Sequence, residues 1–268
     1  MYDIDDAVAK IIFILIILYG LVLLAAYIFQ ERLLFYPSKL PSDYEFNAGP
    51  NAEELFLETS DNERINALHI NKGSKKIILY FHGNAGVMDS WQLTYDNFKN
   101  TGYGLLIIDY RGYGKSTGTP SEKGLYADAQ AAYNYLLQQG FDSDSIIIYG
   151  RSLGSGVACH LMAMHNKGRL ILETPYTSIM DIAKKNYPYF IPQFTLRNRF
   201  SCIRYMKHIR VPLLLVHGTQ DEVVPYHHVT TLHGLYLGPK TLITISNGAH
   251  NNLREFDAYT NALIAFLR

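Results

Sequence analysis

The run Ile146-Ile147-Ile148-Tyr149 leads straight into Gly150-Arg151-Ser152-Leu153-Gly154-Ser155-Gly156, and an apolar, alanine-containing helical pattern follows at once. Four strand formers in succession, with no charge among them, fit a strand covered on both faces. A chain that passes from such a strand into a helix through one tight turn is committed to a strand–helix unit of a parallel sheet. Gly150 and Gly154 flank Ser152 at two residues on either side, where side chains collide in so sharp a turn. The layout is that of a nucleophile elbow, which lifts a serine hydroxyl clear of the sheet. It also sets the Leu153 backbone N–H at a helix N-terminus, facing any oxyanion that develops beside the serine. The plainer reading is a structural turn serine.

A second match to the same motif, Gly114-Lys115-Ser116-Thr117-Gly118, sits several residues past a strand in a Gly/Thr/Pro-rich loop, and a structural role fits it better. A phosphate-binding P-loop ending in Gly-Lys-Ser is excluded there, because position 109 holds Asp where that motif needs Gly. Around the elbow, strand and helix patterns alternate. Strands are expected at 53–59, 64–70, 76–81, 104–109, 145–150, 169–173, 212–217 and 240–246. Helices are expected at about 87–100, 122–139, 152–166, 226–236 and 252–267. This predicts an α/β fold, a mostly parallel central sheet with helices on both faces, over residues 53–268.

One insert interrupts the alternation, at about 176–211. It holds seven aromatic residues, and seven basic residues against the single acid Asp181, a local excess of +6 in a chain whose formal charge is zero. It is expected to form a small helical lid over the strand ends where Ser152 emerges. Two readings stay open for its surface: a solvated cap with ordinary aromatic packing, or a lid that rests on anionic lipid and admits an acyl chain.

Zero net charge argues against a nucleic-acid partner. Cys159 and Cys202 have no metal-ligand spacing, so neither a metal nor a disulfide framework is expected. Ile11 to Gln30 carries no charge, and twenty helical residues span about 30 Å, the thickness of a bilayer's hydrocarbon core. A cleavable signal peptide has an apolar core of about 7–15 residues and a small-residue cleavage site. Here the run is longer, and Gln30-Glu31-Arg32-Leu33-Leu34-Phe35 offers no such site. Residues 1–30 therefore read as a retained single-pass anchor, on an undetermined side of the membrane, with 31–52 as a juxtamembrane linker.

A serine hydroxyl needs a base to take its proton. Ser246-Asn247-Gly248-Ala249-His250 follows the last strand, which makes His250 the candidate. The orienting acid is expected just after the penultimate strand, at Asp221, with Glu222 as its substitute. The chain order Ser152, Asp221, His250 is the Ser…Asp…His order. His82-Gly83-Asn84-Ala85-Gly86 follows a buried strand, and its Asn84 backbone N–H is the candidate second oxyanion donor beside Leu153. His82, Asp109, Arg111 and His217 read as structural supports.

With these residues in view, the chain resembles an α/β-hydrolase of the abhydrolase-domain group, in its small branch with an N-terminal membrane anchor. The resemblance runs from about Leu33 to the C-terminus. It is carried by His82-Gly83-Asn84-Ala85-Gly86, Asp109-Tyr110-Arg111-Gly112-Tyr113-Gly114, Gly150-Arg151-Ser152-Leu153-Gly154, His217-Gly218 with Asp221-Glu222-Val223-Val224-Pro225, and Gly248-Ala249-His250. It implies an esterase, a protein depalmitoylase or a lysophospholipid lipase. The triad chemistry needs no cofactor, and the anchor, which brings the site close to lipid, points to an acyl ester or thioester substrate, lipids included. A serine peptidase-like hydrolase and a non-catalytic binding protein on the same scaffold are the alternatives. Where the depalmitoylases have a cysteine-rich N-terminus, this chain has its apolar span.

Overall fold

The computed structural model describes residues 2–268. Helix α1 (Tyr2–Leu34) extends through the whole apolar run and four residues past it. Its apolar side chains project outward, with Phe13 64% and Ile16 63% exposed. From Asp6 to Leu34 it is long and apolar enough to cross a membrane. After buried Phe35 comes the two-residue β1 (Tyr36–Pro37).

The main sheet takes in β2 (Ala52–Glu58), β3 (Arg64–Ile70), β4 (Ile77–Phe81), β6 (Gly104–Ile108), β7 (Ile146–Arg151), β8 (Arg169–Glu173), β9 (Leu213–Gly218) and β10 (Lys240–Ile245). The short β5 (Ala85–Gly86) pairs in parallel with β1. Strand order is β10-β9-β8-β7-β4-β6-β3-β2, parallel throughout except that β3 runs antiparallel to both of its neighbours. All eight expected strands form, each within a residue of its expected bounds.

Alternate residues of the central strands feed two cores. Ile77, Leu79, Phe81, Ile146 and Ile148 face one side, packed with residues of α3 (Glu122–Gln138) and α4 (Leu153–His165). Ile78, Tyr80, Ile147 and Tyr149 face the other, with Leu263 and Leu267 of α9 (Asp257–Leu267). This period of two is why an unbroken apolar run suits a sheet with helices on both faces.

Two expected helices are broken. At 87–100, α2 covers only Met88–Trp91, and 3-10 turns take over at Gln92–Asn97 and Lys99–Thr101. The residues there (Thr94, Asp96, Asn97, Asn100) are weak helix formers. The tighter winding buries Phe98 against the edge of Tyr95. Near the C-terminus, a 3-10 turn at Leu253–Glu255 and an extended Phe256 precede α9.

Between β8 and β9 the chain leaves the sheet. It forms α5 (Ile179–Asn186), a 3-10 turn at Pro188–Phe190, α6 (Pro192–Thr195) and α7 (Cys202–Met206). Helix α8 (His227–Leu235) links β9 to β10.

The strand order makes β4 a switch point. The chain passes from β4 to β6 on one side, then returns across it to β7 on the other. Ligands of open α/β sheets bind beyond the strand C-termini at such a point. Phe81, which ends β4, lies in register with Gly150 near the end of β7, so the loops that follow these two strands are neighbours.

Candidate active site

Ser152 occupies the turn between β7 and α4 with φ 49° and ψ −116°, a region that costs a non-glycine residue about 1–3 kcal/mol. The surroundings hold it there. Its N–H donates to the Glu173 carbonyl at 2.9 Å, and Tyr176 Oη donates to the Leu153 carbonyl at 3.0 Å. A Cβ on Gly150 would lie 2.4 Å from the Gly154 carbonyl oxygen, and one on Gly154 only 2.1 Å from that of Phe81. The glycines allow helix α4 to start in contact with the end of β4. The Leu153 N–H, in the first turn, is a donor that the helix itself leaves unpartnered.

His250 joins the two remaining candidates. Its Nε2 lies 3.0 Å from Ser152 Oγ, and its Nδ1 lies 2.8 Å from Asp221 Oδ2. An ionised carboxylate only accepts, so Nδ1 carries the proton and Nε2 is left to accept from the serine hydroxyl. The other carboxylate oxygen, Oδ1, accepts from the Val223 and Val224 backbone N–H groups at 3.0 and 2.7 Å. His217, fully buried, points Nε2 at Asp221 Oδ2 (3.2 Å) and at the Val224 carbonyl (2.8 Å). Both partners accept, so that nitrogen also bears a proton. Burial pushes the Asp221 pKa up, but the hydrogen bonds from His217 and His250 outweigh it, and the carboxyl stays well below its ordinary range. Glu222 is exposed and makes no such contact; the structure brings Asp221, not Glu222, to the imidazole.

The Asn84 loop is braced from several directions. Tyr110 Oη donates to the His82 carbonyl at 2.9 Å, and Tyr113 Oη lies 2.9 Å from the Asn84 carbonyl and 3.0 Å from its side-chain Oδ1. The Asn84 amide in turn donates to the carbonyl of Leu34, the last residue of α1, at 2.7 Å. His82 is fully buried and donates from Nδ1 to the Gly83 carbonyl at 2.6 Å. Burial lowers its pKa to about 4, so it is neutral at pH 7 and acts as a brace. Asp109 accepts from Met88 N–H at 2.7 Å, and Arg111 binds Asp128 and Asp61. Ser116, in the second motif, is buried between the Asn66 N–H and the Asp109 carbonyl.

One supporting group escapes the motif reading. Arg151, next to the serine, pairs with buried Glu173 at 2.8 Å and donates to the His250 carbonyl and to Asn251 Oδ1, both at 2.8 Å. Its guanidinium lies 4.7 Å from the Trp91 ring centre. Tyr149 and Tyr259 complete the shell around Glu173 at 2.6 and 2.9 Å. The arginine thus ties the Ser152 turn to the His250 loop. A charge buried beside a Gly-x-Ser-x-Gly serine is a signal, but nothing in the sequence names its partners. Among the described residues no group of three or more His, Cys, Asp or Glu is arranged to hold a metal.

A model of the alpha/beta hydrolase fold family matches residues 76–201. The chain is 32% identical over 257 residues to Protein bem46 of Schizosaccharomyces pombe, covering 88% of this chain and 85% of that one. It is 31% identical over 238 residues to human Alpha/beta hydrolase domain-containing protein 17B, covering 84% and 79%. Among solved structures, the Pyrococcus furiosus esterase Pf2001 superposes with a TM-score of 0.69 at 18% identity, over 87% of this chain and 96% of that one.

Proposed function

Because the chain belongs to the α/β-hydrolase superfamily, we propose that it is a membrane-anchored serine hydrolase cleaving acyl ester or thioester bonds. The observation that carries this reading is the single imidazole of His250 within hydrogen-bonding reach of both Ser152 Oγ and Asp221 Oδ2. His250 Nε2 takes the hydroxyl proton as Oγ attacks the acyl carbonyl carbon. Asp221 fixes the tautomer and stabilises the imidazolium. The Leu153 and Asn84 N–H groups hold the oxyanion, each worth about 2.7–4 kcal/mol of transition-state stabilisation. His250 then returns the proton to the departing alkoxide or thiolate. Water, deprotonated by the same imidazole, frees the acid from the acyl-enzyme.

The exposed apolar helix supports a retained anchor at residues 1–30, with 31–52 linking it to the hydrolase domain of 53–268 and with 176–211 as the lid. An anchor brings the site close to lipid, which favours substrates bearing an acyl chain. Esterases are prominent among the solved structures that share the fold, in keeping with an ester substrate.

The test is a fluorophosphonate probe applied to the full-length protein in membranes. Wild type should be labelled and Ser152→Ala should not. Failure to label wild type, or equal labelling of the variant, refutes the assignment. Turnover of p-nitrophenyl esters against acyl-CoA thioesters then separates the two substrate classes.

A further inference from the structure

Residues 186–196, Asn-Tyr-Pro-Tyr-Phe-Ile-Pro-Gln-Phe-Thr-Leu, carry no charge, and Lys184, Lys185, Arg197 and Arg199 bracket them on both sides. Aromatic rings stand outward along this stretch: Tyr187 is 58%, Tyr189 82% and Phe194 81% exposed. Phe190 packs edge-on against Tyr187, 6.5 Å between ring centres, but Tyr189 and Phe194 leave most of their rings uncovered, an exposed apolar patch that marks an interaction surface.

The stretch lies along α1. Gln30, at the end of the apolar run, is 5% exposed and acts as the hub of the contact. Its Nε2 donates to the Thr195 carbonyl at 3.1 Å, and its Oε1 accepts from the Arg197 N–H at 2.7 Å and from Asn198 at 3.3 Å. Glu31 accepts from the Arg197 guanidinium at 2.8 Å, and that guanidinium lies 4.8 Å from the Tyr27 ring centre. Further along the helix, Tyr19 Oη donates to the Tyr189 carbonyl at 2.6 Å. From Gln30 back to Tyr19 is eleven residues, about 16 Å of helix. Even at a tilt of about 40° this is a depth of roughly 13 Å, close to half of a hydrocarbon core about 30 Å thick.

Most backbone polar groups of the stretch find partners within it or on α1, the Tyr189 and Gln193 N–H groups excepted. The N–H groups of Phe190, Ile191, Phe194, Thr195 and Leu196 donate to carbonyls of Tyr187, Pro188, Ile191 and Pro192 within the same turn. Pro188 and Pro192 sit at first-turn positions and have no N–H to satisfy. Thr195 Oγ1 donates to the Phe190 carbonyl at 2.8 Å, while Tyr19 and Gln30 cover those of Tyr189 and Thr195. Hydrocarbon tolerates non-helical backbone only where its polar groups find partners other than water.

We propose that residues 187–195 insert into the bilayer beside α1 as a second, monotopic membrane contact. Lys184, Lys185, Arg197 and Arg199 then mark the headgroup level, where long basic side chains settle. The proposal rests on the reading of α1 as a membrane anchor. Because insertion is driven by apolar burial, it needs no anionic lipid.

The test uses full-length protein with an environment-sensitive fluorophore on one introduced cysteine at a time, since Cys159 and Cys202 are buried. Tyr189→Cys and Phe194→Cys report the stretch, Leu18→Cys reports α1, and Gln139→Cys, exposed at the end of α3, reports water. Each labelled protein, with a thermal melt matching wild type, is placed in phosphatidylcholine vesicles bearing nitroxide quenchers in the acyl chains. The expected result is quenching at 189 and 194 comparable to that at 18, with a blue-shifted emission, and none at 139. Quenching at 18 with 189 and 194 as bright as 139 overturns the insertion and leaves the anchor standing. No quenching at 18 overturns both.

Discussion

Replacing Arg151 by methionine separates stability from positioning at the site. The Arg151–Glu173 pair is buried, with side chains 7% and 4% exposed, so solvent screens it little. Breaking such a pair by removing one partner costs about 3–5 kcal/mol, because a charge is left stranded. Glu173 keeps two donors, Tyr149 Oη at 2.6 Å and Tyr259 Oη at 2.9 Å, which places Arg151→Met at the lower end, about 3 kcal/mol. For a domain of this size that is a drop in Tm of roughly 6–12 °C. Adding Glu173→Gln removes the stranded charge and should recover most of the loss. Activity should behave differently. The His250 carbonyl and Asn251 have lost their donor in both variants, and a drift of about 1 Å in the imidazole lowers kcat by roughly 10²-fold. The assay is a thermal melt of the full-length protein in detergent, paired with kcat on a p-nitrophenyl ester. If the double variant recovers kcat together with Tm, Arg151 is a stability residue only and the positioning argument fails.

Gly154→Ala puts a Cβ 2.1 Å from the Phe81 carbonyl oxygen and 2.8 Å from that of His82, both backbone atoms that cannot swing aside. Helix α4 must then part from β4 by about 1 Å, and the expected fall in kcat is again roughly 10²-fold. Gly234→Ala in α8, where nothing lies within 4 Å, is the matched control and should leave kcat unchanged; equal losses in the two variants refute the elbow argument. Asp109 is a test of pH dependence. Burial raises its pKa to about 7 in the folded chain, against about 3.9 when unfolded. Between those values the unfolded chain has released a proton that the folded chain still holds, so this group makes stability fall as the pH rises, by up to about 1.4 kcal/mol per unit. Asp109→Asn keeps an acceptor for the Met88 N–H and should flatten the curve from pH 4 to 7. Denaturant melts that run parallel for the two proteins across that range would sink the burial account.

Local chemistry made the fold legible in the sequence. Runs such as Ile77–Phe81 and Leu213–Val216 are apolar on both faces, and in a chain of strand–helix alternation they have nowhere to go but the centre of a parallel sheet. The elbow was legible because steric exclusion around Ser152 demands glycine at 150 and 154. Ser152, Asp221 and His250 were legible as candidates because each follows a strand, and strand C-termini converge at one rim.

Other features depend on which distant segments meet, and residue patterns carry little of that. Weak helix formers at 87–100 gave way to 3-10 turns once Phe98 had a core to enter. Arg151 reads as an ordinary charge in a motif until β8 brings Glu173 beside it and the last loop brings the His250 carbonyl. Gln30 reads as the polar end of an apolar span, yet it is buried against Thr195, Arg197 and Asn198, more than 160 residues away. Asn84 reads as a loop residue, yet its amide holds the end of α1. Sequence determined what each segment is, because side-chain size, polarity and period act within a few residues. Only the tertiary structure decided which buried polar groups satisfy one another, since a hydrogen-bond donor is matched by whatever acceptor the packing delivers.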